Sequence, residues 1–182
     1  MATIYGFSIK KLNTFMGREG EGSQGDIYYN GKKVGWYSNN ADGGMADIKF
    51  DGSWEQRRDM ERLLKEATVK YYARFPLTGE FAVLEPDEEL FMENLVGFTL
   101  DEKEFKKYQK EGYIGMAVFQ KRGDPYREYV HLFRREEAMN LFQGRMDIES
   151  ARIYTRDSFA IEDEPLQISQ GESEETNPKM GM

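Results

Sequence analysis

The sequence predicts an α+β fold, and three observations carry that prediction. Strand-like segments come first, helical patterns follow, and a hairpin with a further helix comes last, without the regular β-α alternation of a parallel-sheet protein. Asn30-Gly31, a strong short signal for a two-residue hairpin turn because both positions need positive φ, sits between segments rich in Ile, Tyr, Val and Trp. Aromatic residues make up 14% of the chain. Disordered chains are poor in them, so the aromatic content outweighs the low mean hydropathy of −0.75 and the 32% of charged residues. The expected architecture is an antiparallel meander, a long amphipathic helix, two further helices, and a second hairpin with its helix. It occupies one domain over residues 1–161, divisible into subdomains 1–79 and 80–161, with 162–182 as a flexible acidic tail.

Residues 3–14 mix β-branched and aromatic side chains and read as an opening strand. A glycine-rich stretch from Gly17 to Gly25 reads as a connecting loop. Asp26–Tyr29 and Lys33–Tyr37 flank the Asn30-Gly31 turn, and a second turn cluster, residues 39–44, leads into a strand at Met45–Phe50. Trp54 to Phe75 is the strongest helix pattern. Ser53 and Gln56 have the spacing of a capping box, and Met60, Leu63, Leu64, Ala67 and Tyr71 fall on one face. Glu61–Lys65 and Glu66–Lys70 are spaced as i,i+4 ion pairs, and Pro76 ends the helix.

A short strand is expected at Glu80–Leu84, then an acidic helix opened by Pro86 and Asp87 and running to about Val96. Thr99 with Glu102 repeats the capping spacing, so a separate helix is expected from Leu100 to Gly112. Tyr113–Gln120 and Tyr126–Phe133 pair across residues 123–125. A helix follows at Glu136–Phe142, closed by Gly144, and a late strand at Ala151–Tyr154.

Composition narrows the chemistry. The chain has no cysteine, which excludes disulfides and thiolate catalysis, and a single histidine, which excludes His-pair metal sites. The first ten residues lack a signal-peptide apolar run, and no stretch approaches the ~18 apolar residues of a membrane span, so a cytoplasmic protein is expected. The net charge of −8 is unevenly spread: nine acidic residues and one basic lie between Glu80 and Glu104, and seven acidic and one basic between Asp157 and Met182. A mildly basic body therefore carries two acidic patches. Such segregation steers a chain toward charged partners, and it is also what solvated faces look like.

The glycine stretch contains a formal G-x-G-x-x-G at Gly20, Gly22 and Gly25, but it precedes a strand rather than a helix. A kinase-type loop would need H-R-D and D-F-G motifs, which do not occur. His131, among apolar strand residues, reads as a packing residue. Asp26, Asp47 and Lys49 could supply a metal-dependent nuclease cluster, though nothing selects them over other carboxylates. No cofactor, metal site or enzymatic activity is expected. For nucleic acid, the candidates are Arg57, Arg58, Arg62 and Lys65 on the long helix, with Lys10, Lys11, Lys32 and Lys33 from the meander. The alternative reading is an ordinary salt-bridged surface helix. The acidic segment from Glu85 to Glu93 could instead imitate phosphates in a partner's nucleic-acid channel.

The opening run IYGFSIKKLNTFMGREGEGSQGDIYYNGKKVGW, followed by DGGMADIKFD, resembles small proteins of bacteriophages and other mobile elements of gut Firmicutes. Within that group it is similar to anti-CRISPR inhibitors of the type II RNA-guided nuclease. The likeness spans roughly residues 3–52 and contains no catalytic residues to transfer. It implies inhibition by stoichiometric binding of the effector in a bacterial host, in some cases with contact to double-stranded DNA. The effector's nucleic-acid channels are basic, so Glu85, Asp87, Glu88, Glu89 and Glu93 are the expected partner contacts. Arg57, Arg58, Arg62 and Lys65 are the expected DNA contacts. A phage or plasmid accessory protein that binds nucleic acid directly is the alternative, and the aromatic content is compatible with a homodimer.

Overall fold

The Asn30-Gly31 turn sets the register of the first sheet. In this computed structural model, which describes residues 1–77 and 82–163 (the side chains of Pro125 and Tyr126 excepted), both turn residues have positive φ, +48° and +80°. They join β3 (Glu21–Tyr29) to β4 (Lys32–Asn39). β1 (Thr3–Ile4) and β2 (Phe7–Met16) precede them, and β5 (Asp47–Phe50) follows. A tight turn at Tyr5-Gly6, also at positive φ, separates β1 from β2 within the segment expected to be one strand. β9 (Ala160–Ile161) pairs parallel to β1, closing a curled six-stranded sheet in the order β5-β4-β3-β2-β1-β9. The fold class is α+β, and its first fifty residues form the expected antiparallel meander.

The glycine stretch is only partly a loop. Residues 17–20 turn, and Gly22 and Gly25 lie inside β3. A Cβ on Gly25 would sit 2.5 Å from Ile9 Cγ2, and one on Gly22 would sit 2.5 Å from the Phe15 ring. These glycines let neighbouring strands pack closely, which a phosphate-loop reading does not require.

α1 (Trp54–Arg74) has the full Ser53–Gln56 capping box and buries Leu64, Ala67, Thr68 and Tyr72. Its ion pairs differ from the expected ones: Glu66 pairs with Arg62 at 2.7 Å, and Lys70 reaches Asp163 at 2.9 Å. The expected strand at Glu80–Leu84 lies partly outside the described residues, and Ala82–Val83 form a 3₁₀ turn rather than a strand. The two further helices are one. α2 (Glu88–Lys110) runs unbroken for 23 residues, because Thr99 Oγ1 donates back to Leu95 O at 2.7 Å instead of capping a new start. The buried face of α2, from Phe91 through Leu95 and Phe98 to Phe105, is long enough to serve both sheets.

The second sheet has the order β7-β6-β8, built from β6 (Gly115–Lys121), β7 (Asp124–Phe133) and β8 (Ile148–Tyr154). α3 (Glu136–Gln143) covers one of its faces, where Ala117, Phe119, Phe133 and Phe142 form a small core. Met116, Val118 and Tyr154 point the other way and join the main core with Phe7, Ile9, Ile27, Leu64 and Phe91. Full burial of each such side chain contributes about 1.5–3 kcal/mol. His131, though exposed, stacks on Phe142 at 5.3 Å and meets Phe133 edge-on. Of the expected acidic tail, Glu162 and Asp163 are exposed, and residues 164–182 lie outside the described part.

Candidate interaction surfaces

Three surfaces collect the charged residues singled out in the sequence. The first is the corner at the start of α2. Asp87 is the N-cap, its Oδ1 accepting from the Leu90 N–H at 2.9 Å. Glu89 accepts from the Ala46 N–H at 2.7 Å, and Glu93 accepts from Asn39 Nδ2 at 3.2 Å. Both contacts tie α2 to the β4–β5 connection. Partial burial, with Glu89 and Asp87 nearby, pushes the Glu93 carboxyl above the usual carboxylate range. Three of the five expected partner contacts thus have structural work. Glu85 and Glu88 make no hydrogen bond or ion pair within the described residues, and beside them Val83 is 86% exposed and Leu84 49%.

The second surface is the outer stripe of α1. Arg58 lies over the Trp54 ring at 5.2 Å, Arg62 pairs with Glu66, and Lys65 follows two turns after Arg58 on the same side. Arg57 is rotated by about 100° from Arg58 and falls off this stripe. Trp54 is 65% exposed, and with Arg58, Asp59 and Arg62 it lines a shallow depression.

The third surface is the open face of the six-stranded sheet. Ile9, Ile27, Gly35 and Phe50 are cross-strand partners on the face covered by the helices. One residue along, Lys10, Asp26, Trp36 and Lys49 form a row across β2, β3, β4 and β5 on the opposite face. Tyr28 and Lys33 form the next pair. Lys10 Nζ lies 4.1 Å from the Tyr28 ring centre, and Lys49 Nζ lies 4.9 Å from that of Trp36. Asp26 accepts from Lys33 at 2.8 Å and Lys11 at 3.2 Å, and the Lys33 contact is the main reason its carboxyl titrates below the usual aspartate value.

The structure therefore separates what the sequence grouped. The meander lysines Lys10, Lys11 and Lys33 share the open sheet face, while the α1 cations project from the far side of the covering helix. Asp26, Asp47 and Lys49, considered as a nuclease cluster, do lie on one face, but Asp26 is occupied by Lys33 and Lys11, and Asp47 by Lys49 at 3.8 Å. Among the described residues no three His, Asp or Glu side chains converge to hold a metal ion, and no helix is long and apolar enough to cross a membrane. A cleft of about 590 Å³ lies between the Tyr5-Gly6 and Asn30-Gly31 turns and α1, with Lys70 and Asp163 at its rim.

Tyr28 and Trp36 were not among the sequence candidates, and Lys49 was named only with the nuclease-cluster carboxylates. Strand alternation outward from Asn30-Gly31 places Tyr28 on a face, but the bulge at Val34 shifts the register by one residue and decides which face Trp36 takes. No protein-family model matches this chain, and no curated protein or solved structure matches it either.

Proposed function

We propose that this protein inhibits a type II CRISPR effector nuclease by stoichiometric binding, without chemistry of its own, in the cytoplasm of a bacterial host. The observation that carries this reading is the corner before α2. There, exposed Val83 and Leu84 adjoin Glu85 and Glu88, whose carboxylates are unpaired among the described residues. Apolar side chains beside free charges suit a protein contact, and the sign of the charge suits the basic channels of such an effector. The resemblance of residues 3–52 supplies the partner class. Glu85 and Glu88 are the contacts to test, since Asp87, Glu89 and Glu93 also hold α2 in place.

The test is target cleavage by a purified type II effector with its guide. Cleavage should fall away near equimolar inhibitor, and the Glu85→Lys, Glu88→Lys double variant should restore it. Full cleavage in the presence of the protein, across several divergent effectors, would refute the reading.

A second reading is favoured by the Trp54–Arg58–Arg62–Lys65 stripe: direct binding to nucleic acid, as an accessory protein of a phage or plasmid. Arg58, Arg62 and Lys65 would contact the phosphates of a duplex, and affinity would fall steeply with salt. Binding indifferent to salt would count against it.

A further inference from the structure

We infer that the open face of the six-stranded sheet is a stacking platform for single-stranded nucleic acid, with Trp36 and Tyr28 as the base-stacking rings and Lys10, Lys11, Lys33 and Lys49 as the phosphate contacts. This goes beyond both readings above: it places a different class of nucleic acid on a surface distinct from the α1 stripe. It does not depend on a nuclease partner.

Three features of the face converge on that ligand. First, the rings are presented rather than buried. Trp36 is 37% exposed on a strand whose neighbours Gly35 and Tyr37 are buried, and Tyr28 is half-buried one row away on the adjacent strand. Second, each ring carries an ammonium group over its face: Lys10 over Tyr28, and Lys49 over Trp36. Such contacts are weak at exposed sites, about 0.5–1 kcal/mol. A base stacked on the ring is worth about 1–3 kcal/mol, so an incoming base can displace the lysine. The freed ammonium, on its flexible stem, then lies beside the backbone of the same strand. Third, the charge is concentrated where the rings are. Four lysines face three aspartates, Asp26, Asp47 and the Asp51 that acts on Lys33, on a chain whose net charge is −8.

Strandedness follows from access. Bases in a duplex are paired and stacked on one another, so their faces cannot reach rings lying on a sheet. Unpaired bases can be splayed onto aromatic side chains. A protein partner would use the aromatic rings as apolar anchors but would leave the lysines without a matched array of anions. A polyanion with π-faces satisfies both.

The experiment is a fluorescence titration of the full chain with a labelled oligothymidylate of about 20 nucleotides, beside a duplex of similar length. The Trp54→Phe background leaves Trp36 as the sole tryptophan. Its emission should be quenched by the single strand, and binding should weaken as salt rises. Trp36→Ala and Tyr28→Ala should each weaken oligothymidylate binding about tenfold, with substantial recovery in Trp36→Phe. Lys49→Glu should weaken it and flatten the salt dependence, whereas Asp26→Asn should tighten it. Because these side chains lie on an open face, thermal unfolding of each variant should stay close to that of the parent.

Single-strand binding that ignores Trp36→Ala and Tyr28→Ala overturns the proposal. Duplex binding lost in Arg58→Glu, Arg62→Glu but untouched by the sheet variants, with no single-strand binding, also overturns it while sustaining the second reading. Failure to bind either nucleic acid at low salt removes both. Loss of effector inhibition in Trp36→Ala, with no oligothymidylate binding by the parent, would assign the face to a protein partner and refute the platform.

Discussion

The two sheets of this protein put similar residues to different uses. The three-stranded sheet encloses its central strand: β6 is buried from Gly115 to Phe119, with Met116 and Val118 turned toward α2 and Ala117 and Phe119 toward α3, while β7 and β8 on either side keep many exposed residues. The six-stranded sheet has helices on one face only, and its strands alternate buried apolar residues with Lys, Asp and Trp. A strand covered on both faces can only contribute packing. A face left open can present side chains without cost to the core, and here it presents lysines over aromatic rings. Phe119 stacked on Tyr129 and Trp36 beneath Lys49 are both strand aromatics, and their surroundings give them different tasks.

The sharpest way to break this contrast is to truncate one aromatic in each sheet. Phe119→Ala, on the enclosed strand, should destabilise the fold by about 3–5 kcal/mol. Trp36→Ala should cost less than that, because Trp36 is already 37% exposed. Chemical denaturation of both variants measures the difference, and equal losses would mean that the open face holds the fold together as strongly as the closed one does. Gly35→Ala ranks next. It lies behind Trp36, where a Cβ would run into the Lys49 carbonyl oxygen and lie 2.9 Å from Phe50 Cα. Overpacking against the backbone of β5 should cost about 1–3 kcal/mol and loosen that edge, which hydrogen exchange of Ile48–Phe50 would register.

Gly97→Ala should do the opposite. It lies within the long helix that both sheets lean on, nothing stands within 4 Å of the new Cβ, and about 1 kcal/mol of added stability is expected. A destabilised variant would contradict a continuous α2.

The smallest effect concerns Asp26. Lys33, with Lys11, holds its carboxyl below the ordinary aspartate value of 3.8, so its contribution to stability is present above that pH. The contribution should disappear as pH falls from 3.8 through the lower folded-state value. The stability difference between the parent and Asp26→Asn should therefore be modest at about pH 6 and shrink as the carboxylate is protonated. A difference that grew on acidification would mean that the pairing is absent in solution.

Much of this architecture is local in origin and could be read from neighbouring residues. Asn30-Gly31 requires its hairpin because few other dipeptides tolerate two positive φ values, and Ser53–Gln56 marks the start of α1 because the capping box closes within four residues. The same local signs misled at Thr99. There a capping pattern met a helix already stabilised by packing on both sides, and the hydroxyl found the Leu95 carbonyl instead. The acidic corner was legible as a charge run, but its division into structural and free carboxylates was not, since Glu89 and Glu93 find their partners 43 and 54 residues away.

The turns, the helix caps, the periodicities and the uneven charge are thus written in the chain itself, because each depends on residues a few positions apart. Long-range packing chose which sheet face stayed open, which lysines share it with Tyr28 and Trp36, and which cations were carried to the opposite side on α1. The physical reason is that a one-residue bulge or one unbroken helix reverses the orientation of everything beyond it. Those choices are settled by burying Ile9, Ile27, Phe50 and Phe91 together, which no local pattern encodes.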